Sequence, residues 1–366
     1  MKAQEHVKRE PLIHITKRDA VSWKKALLIR TLAILCALLF SALMITLLAG
    51  KNPLKIYASM FSGAFGTPRR IWNLLNSTCI LLGIGLAVTP AFRMKFWNCG
   101  AEGQVLMGAL AAAGCMHLFG DALPLPLFFV VMTLVSILAG AIWAVIPAIF
   151  KAFFNTNETL FTLMMNYIAT QLVLYLLKVW VKTGSGVLTP MPQFRFPHIG
   201  DNEFLLAIFV ILAICALLYV YLRYSKQGYE ISVVGESENT AKYIGINVKK
   251  VIIRTMILSG ALCGVIGLLL VANGSCTVNE NIVGGQGFTA IMVSWLAKFN
   301  PLYMILTAFL IIFLQRGSAQ IVTDFRVHSS IGDIVTGIIL LFIIGCEFFL
   351  HYKVHFRKKA KEEQNV

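Results

Sequence analysis

PLFFVVMTLVSILAGAIWAVIPAIF, residues 126–150, runs for 25 positions without a charged side chain. About 20 apolar residues in a helix cross the ~30 Å hydrocarbon core of a bilayer, so this stretch reads as a transmembrane helix. Comparable runs lie at about 26–49, 71–91, 99–119, 159–180, 203–222, 254–272, 286–297, 301–316 and 332–350. The run at 286–297, about 12 residues, is too short for a full crossing and reads as re-entrant or broken. Apolar residues make up 58% of the 366-residue chain, charged residues 13%, and the mean hydropathy is +0.76. Ordinary soluble domains hold roughly 45–50% apolar and about 25% charged residues. That balance excludes a soluble enzyme with a small anchor, a disordered chain and a disulfide scaffold. The expected fold is all-α: a polytopic membrane helical bundle of about ten transmembrane helices.

The net charge is +15. A basic soluble protein invites a nucleic-acid partner, but here the cations cluster at the ends of apolar runs, and no nucleic acid is expected. Nine of the 32 Lys and Arg (Lys51, Lys55, Arg69, Arg70, Lys178, Lys182, Arg195, Arg316 and Arg326) fall outside when the N-terminus is placed in the cytoplasm, and the other 23 fall inside. The excess of Lys and Arg in cytoplasmic segments therefore predicts an N-in, C-in arrangement in the lipid bilayer. Residues 1–25 form a basic cytoplasmic N-terminus, 26–350 the transmembrane domain with a long cytoplasmic loop at 223–253, and 351–366 a basic cytoplasmic tail. The eight cysteines show no CxxC pair and read as packing residues, so no metal site is expected.

No G-x-x-x-x-G-K-[ST] phosphate loop, HExxH or GxSxG occurs, so the chain is expected to carry no catalysis and no cofactor of its own. What stands out are polar and glycine-rich breaks in apolar runs. The first is Phe96-Trp97-Asn98-Cys99-Gly100-Ala101-Glu102-Gly103-Gln104, continuing to Gly108. A carboxylate inside a membrane segment costs ~2.5–3.5 kcal/mol on insertion scales, so Glu102 should face protein or a watery path. A second break, Gly284-Gly285-Gln286-Gly287-Phe288, opens the short run. Glycine-broken segments in corresponding halves mark transport pathways, and this pair is read as the trace of an inverted repeat. Close helix crossings would use the same glycines.

A third cluster, Asn155-Thr156-Asn157-Glu158-Thr159, leads into a span carrying Asn166, Tyr167, Thr170 and Gln171. Positions 159, 163, 166, 167 and 170 share a helical face that should line the bundle interior, either as pathway or as interhelical hydrogen bonding. In the internal loop, Gly228 and Gly235 bracket Ile231–Val234. Glu236-Ser237-Glu238-Asn239-Thr240-Ala241-Lys242-Tyr243-Ile244 then reads as a two-turn helix, started by Ser237 or Glu236 and stopped by Gly245. A helix that short needs a surface to rest on. It either packs under its own bundle or docks into a soluble motor.

These segments resemble the permease subunits of bacterial ABC importers of the branched-chain amino acid and simple-sugar superfamily, most of all its nucleoside-uptake branch. The resemblance is carried by Asn52-Pro53-Leu54, Phe61-Ser62-Gly63-Ala64-Phe65-Gly66, Phe96 to Gly108, and Asn157-Glu158 through Met165-Asn166-Tyr167-Ile168-Ala169. The loop Val234-Gly235 to Val248 and Gly287-Phe288-Thr289 complete it. It implies a subunit in the bacterial plasma membrane that moves nucleosides or related small sugars inward by alternating access. It also implies three partners: an ABC ATPase subunit that binds ATP and Mg, a second and non-identical permease, and an external substrate-binding lipoprotein. Asn98, Glu102, Gln104, Glu158, Asn166, Tyr167, Gly285 and Gln286 would then border the path, and Gly235, Glu236, Asn239, Ala241 and Gly245 would couple to the ATPase. Four positions depart from the family pattern: Ser232 replaces an arginine, Ser237-Glu238 an asparagine–proline pair, and Cys99 an isoleucine. The rival reading is an ion-coupled secondary transporter using Glu102, Glu158, Asp333 and Glu347.

Overall fold

The computed structural model describes residues 13–17, 22–50, 52–120, 122–181, 188–197, 200 and 202–356. The ends of the basic terminal segments (1–12 and 357–366) and parts of the 181–202 stretch lie outside the described residues. Each of the ten expected runs is helical. They are α1 (Trp23–Ala49), α3 (Pro68–Arg93), α4 (Ala101–Phe119), α5 (Leu125–Phe154), α6 (Glu158–Trp180), α7 (Leu205–Tyr224), α10 (Val248–Leu269), α11 (Gln286–Leu296), α12 (Pro301–Phe325) and α13 (Ser329–His351). Three further helices appear: α2 (Pro53–Phe65), α8 (Lys226–Glu236) and α9 (Glu238–Tyr243). Among the described residues seven helices are long and apolar enough to cross a membrane, namely α3, α5, α6, α7, α10, α12 and α13. The strands among the described residues form a two-stranded antiparallel ribbon. In it β1 (Ile13–Lys17) pairs with β2 (Tyr352–Phe356), joining the two basic terminal segments.

The chain divides into two compact units. One comprises residues up to Ala64 together with those from Leu314. Here α1 packs on α13, with Phe40 against Phe342. The Tyr57 hydroxyl donates to the Leu38 carbonyl. Asp324 on α12 accepts from the Ser59 hydroxyl and the Gln320 amide, so this membrane-helix carboxylate is hydrogen-bonded inside the protein.

The other unit, Phe65–Phe313, holds every residue expected to border the path or to couple to the ATPase. Its centre is α3, buried without interruption from Thr78 to Phe92 and packed against α7, α10 and α11. Beside it, α4, α5 and α10 cross with backbones almost touching. A Cβ on Gly108 would fall 2.7 Å from the Gly264 Cα, and one on Gly264 would strike the Ser136 carbonyl. Gly140 and Gly260 meet in the same way. Small residues let membrane helices approach this closely, which is the source of packing energy where lipid is as apolar as leucine. The outer face of α5 shows Val130, Leu134, Leu138 and Ile142, and that of α7 Phe209, Leu212, Leu217 and Val220, all lipid-compatible.

The short helix α11 has 11 residues, ~16 Å of helix, half a bilayer crossing. It runs alongside α3 in the same direction: Ser294 donates to the Gly85 carbonyl, and further on Phe299 stacks on Phe92. Upstream, α10 ends in a π-helical turn, Leu270–Ser275. The 188–197 loop is fastened to that turn. Met191 and Phe196 amides donate to the Cys276 and Ala272 carbonyls, and Arg195 donates to the Gly274 carbonyl (3.2 Å) while pairing with Glu203 (3.2 Å).

Candidate functional site: two interrupted helices and a cytoplasmic foot

The break between α3 and α4 begins where Lys95 adopts a left-handed conformation (φ 59°) and turns the chain back. Its backbone groups are then satisfied by amide side chains. Asn98, with no exposed surface, donates to Gln104 (3.3 Å) and Ser259 (3.2 Å), while its oxygen accepts from the Gly100 amide and from Gln104 (both 3.1 Å). Asn166 on α6 donates to the Cys99 carbonyl (2.8 Å) and accepts from the Gly103 amide (2.9 Å). The Thr162 hydroxyl accepts from the Cys99 amide (3.2 Å). Buried polar groups need such partners, because leaving one unmatched costs about 1–3 kcal/mol. Asn98 and Gln104 thus bond each other, with Asn98 also holding Ser259 and the Gly100 amide, while Asn166 bonds the backbone of Cys99 and Gly103.

Glu102, in the first turn of α4, reaches across to α11. One carboxylate oxygen accepts from the Gly285 amide (2.8 Å), the other from the Gly287 amide (2.7 Å). This is an N-terminal cap supplied by a different helix: a negative group facing unpaired N–H donors at the positive end of the α11 dipole. Gly285 has φ 74°, and a Cβ at Gly287 would sit 2.5 Å from the Glu102 nitrogen, so glycine is required at both places. The Gln286 amide oxygen is buried with no hydrogen-bond partner among the described residues. Trp97 from the break lies against Trp295 of α11, centroids 5.3 Å apart.

Glu158 opens α6 and pairs with Lys151 at 2.9 Å. Asn157 caps the same helix through the Thr159 and Leu160 amides. Tyr167 is 70% exposed, whereas its neighbour Asn166 is buried. The expected polar stripe thus divides: successive residues stand 100° apart on a helix, and Asn166 belongs to the packed face. Tyr167 shares the outer face with Gln171 and Tyr175, which differs from the aliphatic outer faces of α5 and α7.

In the 223–253 loop, α8 and α9 form a bent pair. Ser237 is the cap of α9, accepting from the Thr240 amide (3.2 Å), and Gly245 at φ 83° is the stop. Gly235 and Ala241 are buried against their own unit, while Glu236, Asn239 and Gly245 are exposed. Tyr243 is 92% exposed, and Ile244 beside it is exposed too. The link to the break was not visible in sequence. A Cβ on Gly235 would collide with the Arg93 carbonyl, and Lys95 donates to the Glu236 carbonyl at 3.5 Å. Arg254 of α10 pairs with Glu230 of α8 at 3.0 Å. Among the described residues, no three His, Cys, Asp or Glu side chains converge as metal ligands.

A family model described as branched-chain amino acid transport system / permease component matches residues 70–344. The guanosine ABC transporter permease protein NupP of Bacillus subtilis is 30% identical over 87% of this chain and 92% of its own length. The glucose ABC transporter permease protein TsgB13 of Haloferax volcanii is 27% identical, covering 83% of each chain. The nucleoside ABC transporter permease protein NupB of Lactococcus lactis is 27% identical over 87% of this chain and 91% of its own. A second permease protein carrying the guanosine name in Bacillus subtilis, NupQ, is 24% identical over 56% of this chain and 67% of its own length. No solved structure matches.

Proposed function

The chain belongs to the branched-chain amino acid transport system permease family and is a multi-pass membrane protein, and on that premise we propose that it is the membrane-spanning subunit of an ATP-driven importer of nucleosides or related small sugars. The relatives' names support this solute class. In this reading the chain sits N-in, C-in in a bacterial plasma membrane. It pairs with a second, non-identical permease and receives solute from an external lipoprotein. ATP is hydrolysed on a separate ABC subunit.

The observation that carries the mechanism is the continuous contact from foot to helix break. The exposed end of α9, with Tyr243 and Ile244, suits a groove on the ATPase. Movement of α8–α9 presses on the backbone at Arg93 through Gly235 and on Lys95 through Glu236. Those residues start the 94–100 break, whose far end carries Glu102 and, through it, the N-terminus of α11. Alternating access then consists of α4 and α11 shifting as a pair, with Asn98, Gln104 and Asn166 holding the moving wall together. Gly285 and Gln286 lie at its edge, and the Tyr167 face of α6 borders the solute.

Reconstitution tests this. Uptake of radiolabelled guanosine into vesicles should require the chain together with ATPase, partner permease, binding protein and ATP. Concentrative uptake by the chain alone under an ion gradient would overturn the proposal in favour of an ion-coupled carrier.

A further inference from the structure

The start of α10 carries charge of the wrong sign for a helix N-terminus. Its first turn holds Lys249 and Lys250 and no acid, with Arg254 one turn later. Negative groups are favoured at that end and cations disfavoured. These side chains line a groove of about 530 Å³ completed by Phe153 of α5 and by Ile253 and Ile257. The Lys249 ammonium stands 4.7 Å above the Phe153 ring. Among the described residues, neither Lys249 nor Lys250 has a carboxylate within ion-pair distance, and Glu230 answers only Arg254. The Arg254 Nε is buried without an acceptor among the described residues. The two lysine ammonium groups, the Arg254 guanidinium with Glu230 as its single carboxylate partner, and the α10 N-terminus capped by Asn247 therefore meet at one groove.

We infer that this groove binds the phosphate of an anionic phospholipid, with Lys249, Lys250 and Arg254 around the headgroup and an acyl chain along Ile253 and Ile257. The apolar walls select lipid over free phosphate: Phe153 and Ile257 are exposed, and the adjoining end of α5 exposes Ile149, Phe150 and Phe154. Basic pockets between membrane helices on the cytoplasmic side suit anionic headgroups. The inference rests on the membrane-spanning reading with this end of α10 at the cytoplasmic face.

Native mass spectrometry of the purified full chain tests it, with phosphatidylglycerol, phosphatidylcholine and inorganic phosphate as probes. One phosphatidylglycerol should remain bound at activation energies that strip phosphatidylcholine. Lys249→Gln/Lys250→Gln should weaken that retention roughly thirtyfold, from about a kilocalorie per lysine near a membrane surface. Lys226→Gln/Lys242→Gln, removing equal charge elsewhere, should leave it unchanged. On the wild-type chain, phosphatidylglycerol and not phosphatidylcholine should slow acetylation of Lys249 and Lys250, a readout independent of any variant's folding. Equal retention in both double variants overturns the site, as does displacement of the lipid by inorganic phosphate. Loss of the ATPase subunit from Lys249→Gln/Lys250→Gln with lipid retention intact also overturns it, making the groove a protein-docking face. Failure of guanosine uptake in the complete transporter would leave this lipid ratio untouched.

Discussion

The carboxylate of Glu102 and the amide of Gly287, 185 residues apart in sequence, meet at 2.7 Å. With Gly285 held by the other oxygen, one side chain joins the beginnings of two interrupted helices. Discontinuous membrane helices leave N–H groups that must be satisfied within the protein. Here that requirement is met by an acid on a neighbouring helix, which fixes where α11 starts relative to α4.

Replacing that acid should therefore alter motion before it alters solute affinity. Glu102→Gln keeps one acceptor but turns an NH2 toward the second amide, and Glu102→Ala leaves both amides bare, at about 1–3 kcal/mol each. Both variants should lower the maximal uptake rate at least tenfold with little change in the half-saturating solute concentration, a pattern of lost rate without lost ground-state binding. Hydrogen exchange of the 284–290 peptide should rise in the same variants while that of 160–168 stays put.

Gly235 makes the second test. A side chain there strikes the Arg93 carbonyl, so Gly235→Val must lift α8 off the break. The ATPase subunit should still co-purify, because Tyr243 and Ile244 remain exposed, yet ATP hydrolysis should no longer drive uptake. Retained uptake with normal stoichiometry would show that force does not pass through this contact.

The long helices were legible because each buries or offers to lipid an unbroken apolar run, as in α5. The shortness of α11 was legible too, and so were Ser237 and Gly245, whose roles are local. Three elements were not. Lys55, Ser59, Ser62 and Gly63 interrupt the hydropathy of α2, and Gln315, Arg316, Gly317 and Ser318 hide the continuation of α12 to Phe325. The sequence shows Gly228 and Gly235 only as brackets around Ile231–Val234, whereas both lie within a helix, α8, where close backbone approach demands them. At the site, residue type marked Asn98, Glu102 and Asn166 as important, but their partners lie on other helices. Only the folded chain shows that Asn166 faces inward and Tyr167 outward.

Packing of α4, α5 and α10 predicts a stability effect separable from transport chemistry. Gly264→Val drives a side chain into the Ser136 carbonyl and the Ile137 backbone, and overpacking of this kind costs roughly 1–3 kcal/mol. The detergent-solubilised chain should show a lower melting midpoint. Gly337→Ala, at a position with open space around the Cβ and in the middle of α13, should leave the midpoint unchanged or slightly raised.

Gly245 stops α9 at φ 83° and donates its amide to the Lys242 carbonyl at 3.1 Å. Proline fixes φ near −65° and has no N–H, so Gly245→Pro removes both features at once. The foot should lose its shape and the ATPase should no longer co-purify. The melting midpoint of the chain should fall by no more than a few degrees, because residues 243–245 are exposed. Survival of both ATPase binding and uptake would end the coupling role assigned to this turn.

The exposed face of α6 gives the complementary result to Glu102. Tyr167 is 70% exposed, so Tyr167→Ala should leave expression and melting unchanged. If this face borders the solute, an aromatic ring and the nearby Gln171 amide offer stacking and hydrogen bonding to a planar base, worth about 1–3 kcal/mol per stacked base in nucleic-acid sites. Tyr167→Ala should then raise the half-saturating guanosine concentration about tenfold at near-normal maximal rate, and Tyr167→Phe should restore most of it. Should Tyr167→Ala instead reproduce the rate loss of Glu102→Gln with unchanged half-saturation, the tyrosine belongs to the moving framework, and the solute passes along another face.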